Sequence, residues 1–234
     1  MNNEFEIATE RLYRTFSKYP FKSTIEGCPC CVSESDKSTL HSKQLRELEV
    51  DDLSYYAYKA MTTWGDVNDY KHYLPRIFEL TARRKFIVDI FVTLGKLEYG
   101  KWKEWDATEQ GAITNFLFAW WKLDINTTIH FDSEVLIELD KYLNDIPTML
   151  KQWNLDIDTQ GFKNYVEFVN SHYHEFVEKN RTFKTLSNNE INLIKTWVQS
   201  NVEKLETGFF EYEKIDKEFS DKISEALYII EHIK

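Results

Sequence analysis

Apolar residues return along this chain at intervals of three and four, and strand-like alternation is scarce. Phe5, Ala8, Leu12 and Phe16 fall on one helical face, as do Leu53, Tyr56, Ala57 and Ala60 further on. The first helix should stop before Tyr19-Pro20, because a residue preceding proline is pushed out of the helical region. A loop over about residues 19–34 follows, and Ser33 or Ser35 is placed to cap a helix reaching about Glu47, with Asp36 in its first turn.

Asp51-Asp52 opens the next expected helix, which runs to about Thr62. Trp64-Gly65-Asp66 reads as a turn with a new N-cap, after which Val67, Tyr70, Leu74, Ile77 and Phe78 mark an inward stripe to about Arg84. Pro75 inside that stripe predicts a kink or two shorter helices. The helical pattern continues from Phe86 to Leu94. Asp106-Ala-Thr-Glu109 has the spacing of a capping box and opens a helix carrying Ile113, Phe116, Leu117, Trp120 and Trp121. Asp132 or Ser133 caps a helix through Leu143, a shorter one runs from Pro147 to Trp153, and Asp158 or Thr159 starts another with Phe162, Tyr165 and Phe168 inward. Asn188-Asn189-Glu190 opens a long helix that reaches Leu205, and the last spans about Asp216 to Ile233. The expected fold is all-α, about ten helices in an irregular antiparallel bundle or a curved array of helix pairs.

Composition narrows this picture. Four prolines and seven glycines in 234 residues leave no linker rich in Pro, Gly or Ser, so the expectation is one domain over 1–234. No apolar stretch approaches the ~20 residues of a membrane span, and Met-Asn-Asn-Glu-Phe-Glu has neither the basic region nor the apolar run of a secretory signal. The three cysteines are too close together to staple distant segments, which fits a reducing compartment and a cytoplasmic location.

Net charge is −10, with 16 Lys+Arg against 18 Asp+Glu in residues 1–117 and 13 against 21 in residues 118–234. Phosphate recognition needs clustered cations, and Arg83-Arg84-Lys85 is the one short basic run, so nucleic acid is not an expected partner. A basic protein is electrostatically favoured. The stretch from Asp124 to Asp158 holds eight acids and two lysines, and Glu138, Asp140 and Asp145 are its candidate contacts. The alternative is a solvated face that only keeps the protein soluble.

All the cysteines lie in Gly27-Cys28-Pro29-Cys30-Cys31. Two residues between Cys28 and Cys31 let a tight turn bring both sulfurs to one point, which suits a thiol redox couple or part of a metal site. A helix starting near Val32 would put the thiols at its N-terminus, where free N–H groups favour thiolate. For zinc, Cys28, Cys30 and Cys31 are three soft ligands, with His41 or His72 as the candidate fourth. Adjacent cysteines diverge in most backbones, so at most two or three of the thiols would share one ion. A purely structural role as small buried residues stays open beside both.

A second constellation is Trp64-Gly65-Asp66 followed by Asp69, His72 and Arg76. On a helix, Asp69, His72 and Arg76 stand at i, i+3 and i+7, so a carboxylate can orient an imidazole, and Cys28, His72 and Asp69 form a candidate nucleophile, base and orienter. Trp64 and Arg76 are candidate binding residues, and a third reading places a small-molecule pocket between the Trp64 and Trp102 regions. His172-Tyr173-His174 is not taken as a metal pair, because on a helix the two imidazoles diverge. Metalloprotease, phosphate-loop and dinucleotide-fingerprint motifs are absent.

The Cys-Pro-x-Cys order resembles that of glutaredoxins, which set it in a βαβ context, whereas the flanks here are helical. The pair also looks like that of the all-α alkylhydroperoxidase-D-like proteins, whose pattern has a histidine where this chain has Ser35. The Gly-Cys-Pro-Cys-Cys cluster together with Thr63-Trp-Gly and Lys71-His-Tyr-Leu-Pro-Arg76 is similar to a group of uncharacterised bacterial all-α proteins, over residues 20 to about 121, Trp120-Trp121 included. That likeness implies a shared site for the two segments and no particular activity. The leading functional expectation is a helical protein-binding protein, of immunity type in one form, with an acidic second half. Its rivals are a thiol or metal-dependent enzyme and a small-molecule binder.

Overall fold

The computed structural model describes residues 3–86 and 88–233, and among these the protein is all-α, with twelve α-helices and no strand. The chain divides into two compact units, residues 1–119 and 120–234. No flexible linker marks the division, which falls inside one helix.

The first unit contains α1 (Asn3–Phe16), α2 (Glu34–Leu40), α3 (Val50–Lys59), α4 (Val67–Ala82), α5 (Ile90–Tyr99) and the start of α6 (Ala107–Thr127). Helix α1 lies against α4, and α3 touches α2, α4 and α5. The periodic residues meet as expected: Phe5, Leu12, Phe16, Tyr56, Leu74 and Phe78 are all buried, and Phe116 of α6 packs on Phe5 and Phe78 at 5.5 and 5.9 Å between ring centroids. Full burial of such side chains stabilises the unit by about 1.5–3 kcal/mol each before chain entropy is set against it.

Local chemistry explains where these helices begin and end. Asp66 caps α4 by accepting from the N–H groups of Asn68 and Asp69, and Asp69 reaches back to the N–H of Asp66. Helix α4 continues through Pro75 as one element. Four boundaries depart from the sequence expectation, the first at α3, which ends at Lys59 rather than near Thr62 as Met61 turns to φ 62°. Helix α2 ends at Leu40 rather than near Glu47, in a stretch where the hydroxyls of Ser38 and Ser42 bond main-chain carbonyls, and only a short 3-10 turn forms at Leu45–Glu47. The Phe86–Leu94 segment becomes helical only at Ile90, because Arg84 turns to φ 53° and closes α4; Ile87 lies outside the described residues. The long helix expected from Asn188 to Leu205 is two, since the Asn201 side chain donates to Trp197 O and breaks the run.

A buried polar cluster fastens the segment after α1. Lys71 of α4 pairs with Glu109 of α6 at 2.7 Å with both side chains nearly inaccessible, Tyr19 donates its hydroxyl proton to Glu109 at 2.5 Å, and the Lys71 ammonium sits 4.1 Å from the centre of the Trp105 ring. Glu109 is therefore turned to Lys71 rather than back to its own N-cap. Removing one member of such a pair costs about 3–5 kcal/mol, because it strands the other charge.

The second unit contains the end of α6, α7 (Ser133–Leu143), α8 (Ile146–Lys151), α9 (Gln160–Val177), α10 (Asn188–Ser200), α11 (Val202–Tyr212) and α12 (Lys217–His232). Its centre is aromatic: Trp153 stacks on Phe131 at 5.6 Å and meets Trp197 in a tilted contact at 5.0 Å, and its indole N–H is satisfied by Gly161 O. Asn164 ties α9 to the end of α6 through the carbonyls of Ile125 and Thr128. Helices α11 and α12 form a hairpin, and α12 lies along α9. No helix among the described residues is long and apolar enough to cross a membrane.

Candidate metal centre

The cysteine turn is held at both ends by burial and by main-chain pairing. Ile25 before it and Val32 after it are 2% and 4% exposed, so the chain dips into the core on each side and rises between them. The N–H of Cys28 donates to Thr63 O at 2.8 Å, and the N–H of Gly65 donates to Glu26 O at 2.8 Å, a two-residue antiparallel bridge onto the turn between α3 and α4. The Tyr55 hydroxyl donates to Cys31 O at 2.6 Å. Gly65 is required here: its φ is +71°, and a Cβ would fall 2.9 Å from Ile25 Cγ2. Gly27 is required too, since a Cβ on it would lie 2.9 Å from that of Val32.

Within the turn, the N–H groups of Cys31 and Val32 both donate to Cys28 O at 2.9 Å. This curls the backbone so that all three sulfurs converge, each within 4.8 Å of the others, with Cys28 Sγ 2.9 Å and Cys31 Sγ 3.4 Å from Cys30 Sγ. The vicinal Cys30 and Cys31, which sequence reasoning expected to diverge, are brought to one point by the turn. Cys30 is exposed and its neighbours are half-buried. Hydrogen bonds from the Cys30 thiol, then from the backbone N–H of Cys30 and from Cys31, draw the Cys28 thiol below its ordinary value. Cys30 is correspondingly pushed up to about 11, because its proton is the one held between its two neighbours. The N-terminus of α2 is turned to its own cap, Ser33 and Asp36 closing it with a reciprocal capping box.

Beside the sulfurs lies an open polar cleft of about 610 Å³, with Lys22, Cys28, Thr63, Asp66 and Asp69 in its wall. Lys22 spans it by pairing with Asp69 at 2.6 Å. Trp64 also lines this cleft, whereas Trp102 does not and is buried.

The other candidates are placed elsewhere. Among the described residues, neither His41 nor His72 joins the sulfurs as a ligand. His72 Nδ1 is 2.8 Å from Tyr19 O, and the Phe21 ring stands against both His41 and His72 at 5.1 and 6.1 Å. The same loop thus docks twice, its cysteines at Trp64 and its Tyr19–Phe21 part at His72. Burial and the neighbouring His72 lower His41. Asp69 accepts from the N–H of Asp66 and pairs with Lys22 instead of orienting His72, so a Cys28–His72–Asp69 relay is not assembled. Trp64 is 2% exposed and part of the core, and the half-buried Arg76 is engaged by Leu48 O and Glu79.

The acids chosen for a basic partner also have internal tasks. Asp140 is 5% exposed, Asp145 caps α8 by accepting from Thr148, and Glu138 pairs with Lys141 at 3.6 Å. Burial and then the adjacent Glu190 raise Asp140 to about 7. Sequence reasoning missed this carboxyl pair, because the i, i+2 and i+7 spacing of Glu138, Asp140 and Asp145 says nothing about which of them faces α10. Comparison of the chain with protein families, with curated proteins and with solved structures finds no match.

Proposed function

We propose that residues 27–32 bind one thiophilic divalent cation, zinc in the first instance, in a protein of the reducing cytoplasm. The convergence of three sulfurs from one docked turn carries this reading. In a tetrahedral site with Zn–S near 2.3 Å, ligand sulfurs stand about 3.8 Å apart, within a small side-chain rotation of the separations here. Hydrogen bonds from the Cys30 thiol, and then from the N–H groups of Cys30 and Cys31, draw Cys28 toward the thiolate that a metal requires. Three thiolates leave a fourth position for water or for a ligand from the adjoining cleft, the pattern of reactive rather than closed structural sites.

Reduced protein freed of metal and titrated with cobalt(II) should develop sulfur-to-cobalt charge-transfer absorption that saturates at about one equivalent and is displaced by zinc. Cys28→Ser and Cys31→Ser should abolish the band, and Cys30→Ser should weaken binding at least about tenfold. A featureless titration, or a band that survives all three substitutions, would overturn the reading.

The 2.9 Å approach of Cys28 and Cys30 favours a second reading, a dithiol oxidised by a small disulfide such as oxidised glutathione. In that step the two thiols lose two protons and two electrons and form one S–S bond, while the glutathione disulfide is cleaved to two thiols. Mass analysis after such treatment separates the two readings, since an intramolecular disulfide lowers the mass by two hydrogens and removes cobalt binding. The likeness of residues 20 to about 121 to bacterial proteins with the same two motifs belongs to this proposal, and the bridge between Gly27 and Trp64 supports it by joining the motifs. A macromolecular partner, given the charge of −10, is a basic protein rather than a nucleic acid.

A further inference from the structure

Residues 201–234 hold nine acids against five lysines, and in the structure they form the α11–α12 hairpin. The inner side of that hairpin is fully used. Leu205, Gly208 and Tyr212 of α11 and Ser220, Ile223, Ala226 and Ile230 of α12 are buried, and Gly208 lets Phe162 approach so closely that a Cβ would lie 2.5 Å from its ring.

The outer side repeats one pattern on each helix. On α11, Glu203, Glu206 and Phe210 follow at i, i+3 and i+7, opposite the buried positions. On α12, Glu218, Asp221, Glu225 and Tyr228 follow at i, i+3, i+7 and i+10, again opposite the buried set. Phe210 is 61% exposed, Tyr228 is 62% exposed, and Ile215 in the connection between them is 76% exposed. Lys217 and Lys222 are engaged within α12 by Asp221 and Glu218, whereas Glu203, Glu206 and Glu225 have no ion pair among the described residues. Unpaired acids around solvated aromatic side chains match the layout of an interface, with apolar anchors and a charged rim.

We infer that this hairpin face docks a basic amphipathic segment of another protein, its apolar residues on Phe210 and Tyr228 and its lysines or arginines against Glu203, Glu206 and Glu225. Charge complementarity selects that occupant. A nucleic acid or an anionic lipid surface is repelled by the rim, and a second copy of this chain would bring the same acidic stripes face to face. The face is distinct from the stretch between Asp124 and Asp158, whose central acids serve the interior, and it requires nothing of the cysteine site.

The direct test measures binding of synthetic helical peptides to the whole protein by calorimetry. The probes are one peptide with lysine and leucine on opposite faces, one with serine replacing leucine, and one with glutamate replacing lysine. The lysine–leucine peptide should bind, and its affinity should fall as salt rises. Binding should weaken about tenfold with Phe210→Ala plus Tyr228→Ala and about tenfold with Glu206→Lys plus Glu225→Lys, while Glu134→Lys on α7 leaves it unchanged. All these substitutions are at exposed positions, and unchanged circular dichroism verifies the fold. Equal binding to every variant, preference for the glutamate peptide, binding to phosphatidylserine vesicles in its place, or self-association lost with the aromatic pair would each overturn the assignment.

Discussion

Asp140 and Glu109 are both acids buried in helices, and their surroundings drive them in opposite directions. Burial raises Glu109, but hydrogen bonds from Lys71, Tyr19 and Lys18 outweigh it and hold the carboxyl below its ordinary value. Burial raises Asp140 as well, and there the charged group that acts on it most is another acid, Glu190, so the two effects add and bring it to about 7. A carboxyl raised on folding is protonated in the native state and ionised in the unfolded chain between about pH 4 and 7, so stability from this group falls as pH rises through that window and stays low above it. Asp140→Asn keeps an acceptor for the N–H of Asp145 and removes the charge. It should therefore stabilise the protein by about 1–2 kcal/mol more at pH 8 than at pH 5, allowing for residual solvent screening. Urea unfolding at the two pH values measures the difference, and an equal effect at both would mean that Asp140 is already ionised at pH 5.

Helix boundaries were legible where a cap signals locally. Ser33, Asp66, Asp132, Thr159 and Asp216 all cap through their side chains as the sequence implies, because capping involves residues two or three apart, whereas Asp145 and Ser187 are caps that the pattern alone did not single out. The cysteine cluster was legible for the same reason, its members lying within four residues. That the Trp64 segment meets it was expected from the motif likeness, and the bridge between Gly27 and Trp64 joins the two; what was not legible is that His72 is claimed by the Tyr19 carbonyl rather than by a sulfur. Asn201 was missed since Asn is neutral in pattern, and only its bond to Trp197 O shows it as a break. The docking of the cysteine loop then hinges on one residue at φ +71°. Gly65→Ala forces a left-handed conformation on alanine and drives its Cβ against Ile25 and Asp69, at a cost of about 1–3 kcal/mol. The expected result is a loop released from the Trp64 turn, seen as faster alkylation of all three cysteines and weaker cobalt binding, with the helical content retained. Unchanged alkylation would show that the sulfurs are held by the turn itself and not by its docking.

At the scale of the whole chain, the two units have different balances of titrating groups. In residues 1–119, Glu10, Asp52, Asp66, Glu79, Asp106 and Glu109 are all held below their ordinary values, the stabilising partners being arginines, lysines and helix N–H groups. A depressed carboxyl contributes stability above its unfolded value near pH 4 and loses it as pH falls through the folded value. His41, lowered by burial, acts in the same sense below about pH 6.5, because the unfolded chain takes up the proton first. In residues 120–234 the contributions oppose each other: His172, also lowered by burial, disfavours the folded state in acid, while the raised Asp140 favours it as pH drops from 7 toward 4. Acid should therefore loosen the first unit before the second. Hydrogen exchange resolved by peptide and corrected for intrinsic rates, compared at pH 7 and pH 3.5, should show protection in α1 and α4 falling by a larger factor than in α9 and α12. Equal loss in both units would mean that they unfold as one cooperative body, and earlier loss in α9 would mean that His172 outweighs Asp140. Because the cysteine turn is bonded to Tyr55 of α3 and to the turn between α3 and α4, its sulfurs should become rapidly alkylated at the same acidity at which α4 loses protection, and the hairpin face formed by α11 and α12 should outlast them.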